Sequence, residues 1–360
     1  MTKSAKITTI ALIGMFTVLS ASDQRIASLG GNAGFWPGDD ANIYAFPATL
    51  NNFNIAQVSG VGAGSTDHAA SVLWGDGTKW GFSIDQESGK GDMMNLAWGN
   101  GSMGLIVGLS STASDDGGSP ATTTSSMGLD ISFGMNQSFG ELGVGFSTGS
   151  YDNGGDGDQP SSMGLWANVR RDQALWLFDK MLIEFEYGSS NSSDGMNASA
   201  DAQTNMGLSV SSFTHLNIAE GTTALVASGF GYYSISNLLY STDLSYSVIA
   251  FPGCTFAVES AMTDWATVRA GVTHTYYLLE TVSTPGGDIT YRGGAHEWDW
   301  SNGETSDNST SWSFGLGFNY GSFNLDLDVT ESLYTNPVQH MVGYAGLGEA
   351  NATATMTYTW

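Results

Sequence analysis

The residue pattern closest to catalytic chemistry is a G-x-S-x-G match at residues 145–149. In serine hydrolases this pattern places the nucleophile on a sharp turn between a strand and a helix. Here Ser147 lies in a run where Leu142, Val144 and Phe146 alternate with small or polar residues, which predicts extended chain. The histidines show no spacing that pairs a base with an orienting group; they are His68, His215, His274, His296 and His340. We therefore predict that the protein is not an enzyme. If it were a serine hydrolase, the substitution Ser147→Ala would abolish its activity.

Carboxylates on glycine-rich stretches are the second candidate chemistry. The stretch DNGGDGD carries Asp152, Asp156 and Asp158, and HEWDW carries Glu297 and Asp299. Carboxylate oxygens on a flexible loop suit Ca²⁺ or Mg²⁺, but the spacing does not match an EF-hand loop. The sequence therefore favours a solvated acidic loop over a specific metal site, and it implies no cofactor.

The elements that must position these residues are strands, because apolar and polar residues alternate along most of the chain. In FNLDLDVT (323–330) and MGLDISFGM (127–135), every second residue is apolar. Alternation over seven or more residues is a strand signal that no helix face fits. The pattern predicts sixteen strands, near residues 52–60, 68–76, 79–86, 92–99, 102–111, 122–135, 139–150, 160–170, 173–188, 203–216, 221–234, 242–259, 265–281, 309–320, 322–331 and 350–360.

Connection lengths and composition indicate a membrane barrel. Tight turns such as GDGT, NQSFG, RRDQ and AEG alternate with long polar loops, as in outer-membrane barrels. Only 12% of residues are charged, and after residue 22 the lysines are Lys79, Lys90 and Lys180. A soluble β-sandwich, the competing fold, would carry far more lysine on its exterior. We predict an all-β, transmembrane antiparallel β-barrel of about sixteen strands.

The N-terminus predicts export. Lys3 and Lys6 precede an apolar run of fifteen residues that ends in small residues near Ala21, the layout of a secretory signal peptide. A membrane anchor, the alternative, needs about twenty apolar residues. We therefore predict a signal peptide at 1–21, a plug-like segment at 22–51 and a barrel at 52–360. The excess of 35 acidic over 10 basic residues argues against a nucleic-acid partner.

Strand phase predicts which charges face the lumen. Glu259 and Arg269 are equidistant from a turn near Asp264, so a cross-strand ion pair is expected. Trp166 also points inward, because Met163 and Leu165 belong to the outward set. Two roles stay open for the inward residues: they contact solute and favour cations in a wet lumen, or they bond the plug. The predicted lumen set is Asp130, Trp166, Arg170, Glu184, Glu186, Glu259, Arg269, Asp326 and Asp328.

The two ends of the chain carry a family resemblance. The last strand, ATATMTYTW, alternates and ends on aromatic residues, and it resembles the β-signal that barrel-insertion machinery reads; its signal residues are Met356, Tyr358 and Trp360. Residues 23–50 resemble the N-terminal region of FadL/PorV-like outer-membrane barrels, in which a Gly-Gly pair, an aspartate-led stretch and an x-Pro-Ala-x-Leu motif precede strand one. The matching positions are Leu29, Gly30, Gly31, Asp39, Asp40, Asn42, Tyr44, Pro47, Ala48 and Leu50. Phe46 departs from that family, which has Asn there.

The resemblance implies a fourteen-stranded barrel whose N-terminal segment plugs or lines the lumen. One branch of the family moves hydrophobic molecules across the outer membrane, and another serves secretion and surface attachment. We predict an outer-membrane channel that passes small, hydrophobic solutes across the bacterial outer membrane; the alternative is a non-conducting barrel for attachment, secretion or envelope integrity. The expected partners are outer-membrane lipid, lipopolysaccharide bridged to the acidic loops by divalent cations, the insertion machinery and a small-molecule solute.

Overall fold

The computed structural model describes residues 23–62, 68–87, 91–115, 123–152, 161–191, 202–237, 244–293, 297–299, 304–306, 309–329 and 352–360. The signal peptide predicted at 1–21 lies outside this part of the chain, as do Asp156 and Asp158. None of the helices in the described part has the length and apolar character of a membrane span.

Short helical elements precede the strands. They are α1 (Asp23–Ala27), a 3-10 turn (Ala33–Phe35), α2 (Asn42–Ala45) and a second 3-10 turn (Pro47–Asn52). The strands are β1 (Ile55–Gly62), β2 (Ala69–Trp74), β3 (Lys79–Glu87), β4 (Gly91–Gly99), β5 (Met103–Asp115), β6 (Thr123–Gln137), β7 (Gly140–Asp152), β8 (Ser161–Leu175), β9 (Phe178–Asn191), β10 (Gln203–Ala219), β11 (Thr222–Ser236), β12 (Ser245–Thr263), β13 (Ala266–Thr284), β14 (Gly287–Arg292), β15 (Glu297–Asp299), β16 (Glu304–Ser306), β17 (Ser309–Tyr320), β18 (Phe323–Val329) and β19 (Ala352–Thr359).

The main sheet closes on itself. Neighbouring strands of the wall pair antiparallel, and β1 pairs with both β2 and β19, so the sheet closes into a ring. Strands β14 and β17 both pair with β13, β14 beside its last residues and β17 beside its first, so together they fill one position in the wall. The result is an antiparallel barrel with sixteen strand positions, which confirms the predicted fold class. The fourteen strands that the resemblance implied are not observed. Strands β15 and β16 form a separate hairpin.

One turn was misplaced by the sequence reading. The sequence predicts a turn at RRDQ (170–173), but β8 continues to Leu175 and the chain reverses at Trp176 and Leu177. Polar residues suggested a turn at that point. Arg170 is instead an inward strand residue, because its guanidinium has partners inside the barrel.

The outward face of the barrel is apolar. Exposed side chains on well-separated strands include Leu96 at 54%, Met127 at 63% and Trp312 at 66%. Their strand neighbours Asn95, Gly128 and Ser313 point to the other side of the sheet. An apolar exterior around a closed sheet is the arrangement that a bilayer requires, since lipid offers no partner to a free strand edge.

Strand length differs sharply around the wall. Strands β1 to β4 have six to nine residues, whereas β12 and β13 have 19 each. Residues 23–52 fold back inside this uneven cylinder. Their contacts are with inward residues of β1–β13 and β17–β19, as described next.

Candidate functional site

Residues 23–52, called the plug from here on, begin with a short helix that is stopped by glycines. Helix α1 ends at Ala27, and Gly30 and Gly31 follow with φ of +95° and +81°. The Gly31 N–H donates to Ile26 O at 2.9 Å, which closes the helix end. The chain then turns at Trp36–Asp40, where Asp39 N donates to Trp36 O at 3.0 Å.

A five-member charge cluster, called the ionic latch, joins the plug to the wall. Arg25 Nε and Nη2 donate to Glu259 Oε2 and Oε1 at 2.9 and 3.0 Å, and Arg25 also pairs with Asp39 in the plug. Arg269 Nε donates to the same Glu259 at 2.6 Å, so the predicted cross-strand ion pair is present. Arg269 Nη1 donates to Asp326 Oδ1, also at 2.6 Å. The cluster therefore links helix α1 to β12, β13 and β18.

Sequence reasoning missed Arg25, which is central to this cluster. Burial by itself would lower the pKa of the Arg25 guanidinium, but hydrogen bonds and charge attraction to Glu259 and Asp39 raise that pKa above its ordinary value. Arg25 is therefore cationic at any physiological pH. The available signal was that Arg25 is the one Arg or Lys in residues 23–52 of an acidic chain.

A second guanidinium, from β8, holds the middle of the plug. Arg170 Nη1 donates to Gly34 O at 3.0 Å and to Asn42 Oδ1 at 2.7 Å. Its Nε donates to Glu141 Oε2 on β7 at 2.5 Å. The guanidinium carbon lies 4.4 Å from the centroid of the Phe46 ring. Phe46, the departure from the family pattern, thus contributes a cation–π contact.

Glycines on neighbouring strands form a surface, called the glycine shelf, that receives residues 45–48. A Cβ at Gly134 would lie 2.7 Å from two backbone nitrogens of that segment, and a Cβ at Gly104 would overlap its backbone. Gly143 meets the same segment at the Ala45 carbonyl. Because real Cβ atoms do not approach backbone this closely, the shelf requires glycine at these positions.

Apolar side chains fill the space between these anchors. One buried cluster joins the plug to β9–β12, and a second joins it to β1, β2 and β5. The plug members of the two clusters are Ile26, Leu29, Phe35, Trp36, Ala41, Ile43, Phe46 and Leu50. The plug therefore contacts several sides of the wall at its level in the lumen.

A small cavity remains on the side of the short strands. Its volume is about 40 Å³, and Ile43 and Tyr44 form its plug side. Tyr44 Oη lies 3.1 Å from Ser83 Oγ. The barrel side combines apolar groups with hydroxyls and amides: Ile55, Leu73, Ala97, Ile106, Gln57, Ser59, Ser71, Ser83 and Asn95.

Two of the predicted lumen residues, Glu184 and Glu186, lie at different heights on β9. Glu184 bonds the plug: Asn32 Nδ2 donates to both carboxylate oxygens at 3.3 Å, and Ser209 Oγ donates at 2.9 Å. Glu186, two residues further up β9, makes no salt bridge within the described residues. Glu184, Glu259 and Arg170 all form hydrogen bonds with residues of the plug, as expected for the plug-bonding role.

Other predicted residues lie apart from these groups. Asp130 on β6 pairs in register with Ser147 of β7, so residues 145–149 are strand interior and not a turn. Asp328 follows Asp326 by two residues on β18 but makes no salt bridge among the described residues. Asp152 is the last residue of β7, and no cluster of three or more potential metal ligands occurs in the described part of the chain.

The remaining plug and terminal residues are placed as follows. Leu29, Asp39, Asn42, Phe46 and Pro47 are buried, and Asp40 O accepts from Ile43 N at 3.0 Å. In β19, Thr355 and Thr357 are buried inward, while Tyr358 and Trp360 are exposed outward with ring centroids 6.0 Å apart. Met356 shares their face. Reading of this strand by insertion machinery stays a prediction.

A closed sheet with an apolar exterior and a lumen filled by its own N-terminal segment defines a plugged outer-membrane β-barrel. The chain resembles FadL-like barrels: a Pseudomonas aeruginosa FadL homologue matches with 12% identity and a TM-score of 0.43, covering 95% of this chain and 99% of that one. No protein-family model matches the chain, and no curated protein sequence matches it either.

Other solved barrels match at similar levels. CdiB from Escherichia coli has 10% identity and a TM-score of 0.44, over 85% of this chain and 62% of that one. BamA from Haemophilus ducreyi lacking POTRA domains 1–3 has 10% identity and a TM-score of 0.41, over 85% of this chain and 70% of that one. The chain spans about three fifths of the length of the CdiB structures. At these identities the likeness concerns barrel architecture alone.

Proposed function

We propose that this chain is a normally closed outer-membrane transporter that admits small apolar solutes past its plug. The observation that carries the proposal is the cavity between Ile43, Tyr44 and the inward face of strands β1–β5. Its lining is apolar with interspersed hydroxyls and amides, which is the composition typical of small-molecule sites.

The size of this cavity implies gating. Ligand pockets usually measure about 300–1,000 Å³, whereas this one measures about 40 Å³. An organic solute therefore passes only if the segment around Ile43 and Tyr44 moves. The other sides of the plug are held by the ionic latch, Arg170 and the glycine shelf, so this side is where we place the passage. In this proposal the protein performs no chemical reaction, and Ser147 has no catalytic role.

The test compares two substitutions of alanine by leucine. Ala97 lines the cavity from β4, whereas Ala70 lies exposed on the outward face of β2. Uptake of the neutral apolar dye N-phenylnaphthylamine is measured in cells that express each variant. We expect Ala97→Leu to reduce the protein-dependent uptake rate severalfold and Ala70→Leu to leave it unchanged. Equal rates for wild type, Ala97→Leu and cells lacking the protein would refute transport along this path.

One observation favours the alternative, a non-conducting barrel for attachment, secretion or envelope integrity. The plug contacts several walls through buried ion pairs and close packing, as a permanent seal would. Planar bilayer recordings separate the two functions. We expect the intact protein to be silent and a variant lacking residues 23–52 to conduct. Silence of both proteins, together with no dye uptake, would favour the structural role.

A further inference from the structure

One inward row of residues lies directly above the plug and makes no hydrogen bond or salt bridge with it among the described residues. Trp166 on β8 pairs in register with Glu186 on β9, Glu186 pairs with Gly207 on β10, and Gly207 pairs with Tyr233 on β11. Residues paired in this way share a face of the sheet, with Cβ atoms about 4.5–5.5 Å apart. Two residues below Glu186, Glu184 accepts from plug residue Asn32, so the plug forms the floor beneath this row.

The side chains of this row lean away from each other. The Trp166 indole lies over Gly143 and Gly145 of β7, because a Cβ at either glycine would meet its ring. The Glu186 carboxylate leans the opposite way, over Gly207, where a Cβ would lie 2.6 Å from Oε1. The two neighbouring side chains therefore lean to opposite sides, the aromatic ring toward β7 and the carboxylate toward β10.

Tyr233 adds a hydroxyl to the far end of the row. Its Oη is buried and has no hydrogen-bond partner within the described residues. A buried hydroxyl without a partner destabilises the protein, so a ligand group that hydrogen-bonds to it is favoured at this place. The row thus offers an aromatic ring, an anionic acceptor and a free hydroxyl on three of four adjacent strands.

No described arginine or lysine pairs in register with a residue of this row or forms a salt bridge with Glu186. The arginines that point into the lumen are used lower down, Arg170 and Arg269 in contacts with the plug or with wall carboxylates. Inward Lys79 and Lys180 lie beside the short turns, where they bond Asn54 and Asp172. Glu186 therefore has no protein cation to neutralise it, and an anionic solute would meet an unfavourable charge here.

We propose that the row Trp166–Glu186–Gly207–Tyr233 binds the organic ammonium group of a cationic amphiphile before the solute passes the plug. An ammonium group over an aromatic ring gains a cation–π attraction, and a nearby carboxylate strengthens binding. This inference rests on the proposed transport function and narrows its substrate class to amines with an apolar chain.

The experiment uses the full-length protein in nanodiscs of zwitterionic lipid and three octyl probes: octylammonium, octanoate and octanol. Binding is measured by equilibrium dialysis, with empty nanodiscs subtracted. We expect octylammonium to bind at least tenfold more tightly than octanoate. Glu186→Gln should weaken octylammonium binding about tenfold without changing octanol binding, and Trp166→Leu should weaken it severalfold.

The control variant is Glu220→Gln, which removes the same charge from the exposed β10–β11 turn and should leave all three affinities unchanged. Glu186→Asp should retain most of the preference for octylammonium. The inference would be overturned if octanoate bound as tightly as octylammonium, or if the preference for octylammonium survived Glu186→Gln. In either case, binding of octanol would still support the transport proposal. Failure of all three probes to bind would overturn both.

Discussion

The plug is held by two regions of opposite character. At one end, helix α1 is fixed by the ionic latch of Arg25, Glu259 and Arg269. At the other end, residues 45–48 lie against the glycine shelf, where contact depends on missing side chains. The ionic end is strong but depends on charge and solvent, whereas the shelf end depends only on shape. The same short segment is thus anchored by ion pairs on one side of the barrel and by close steric fit on another.

The largest effect is expected at the centre of the latch. Arg269→Gln leaves Glu259 and Asp326 without their shared partner in a buried setting, which typically costs about 3–5 kcal/mol. Urea unfolding of the protein in liposomes should report this loss. Neutralising the carboxylates as well, through Glu259→Gln and Asp326→Asn, should recover part of the stability. A triple variant no more stable than Arg269→Gln would contradict the ionic account.

At the shelf, a single methyl group should be enough to disturb the plug. Gly134→Ala places a Cβ against the backbone of residues 45–48, and overpacking of this kind costs about 1–3 kcal/mol. Gly231→Ala is the matched control, since its Cβ would meet nothing closer than 3.7 Å. Unfolding in liposomes should separate the two. In a barrel lacking residues 23–52 the Gly134→Ala penalty should vanish; if it persists, the glycine serves the strand and not the plug.

Salt should distinguish the two ends. Arg25 keeps 20% of its side chain exposed, so Arg25→Gln should cost only about 1–2 kcal/mol. That penalty should shrink between 0.05 and about 0.5 M salt, because the Debye length falls from above to below 10 Å. The Gly134→Ala penalty should not change. Equal salt dependence of the two variants would show that the division into ionic and steric anchors is wrong.

The smallest effect is expected for an ion pair that is exposed to solvent. Asp172 and Lys180 pair at 2.7 Å near the β8–β9 turn, but Asp172 is 89% exposed. Exposed ion pairs contribute about 0–1 kcal/mol, so Lys180→Gln should hardly alter unfolding. A loss as large as that of Arg269→Gln would mean that burial is not what gives the latch its strength.

The sequence predicted the wall better than the lumen, for a physical reason. Alternation with a period of two is local, so Phe323 to Val329 and Met127 to Met135 indicate strand and face without knowledge of their neighbours. The Glu259–Arg269 pair could be predicted because a short turn sets its register. The contact of Arg25 with Glu259 spans 234 positions in the chain, and no local pattern encodes it.

Two other sequence readings illustrate the same limit. Gly104 can be read directly from the sequence, but its contact with Pro47 depends on where the plug lies. The turn placed at 170–173 was wrong because polar residues are typical of turns, whereas here Arg170 is polar in order to reach the plug. Inward polarity and turn polarity look alike in a sequence.

The uneven strand lengths affect the height of the barrel wall and thus the access to its lumen. Strand β2 has six residues and β12 has 19, and the difference of thirteen corresponds to about 40 Å along the chain. Among the described residues the cylinder is therefore taller over β12 and β13 than over β1 to β4. If the protein admits apolar solutes as proposed, molecules dissolved in the membrane would reach its lumen over the lowest wall, beside β2.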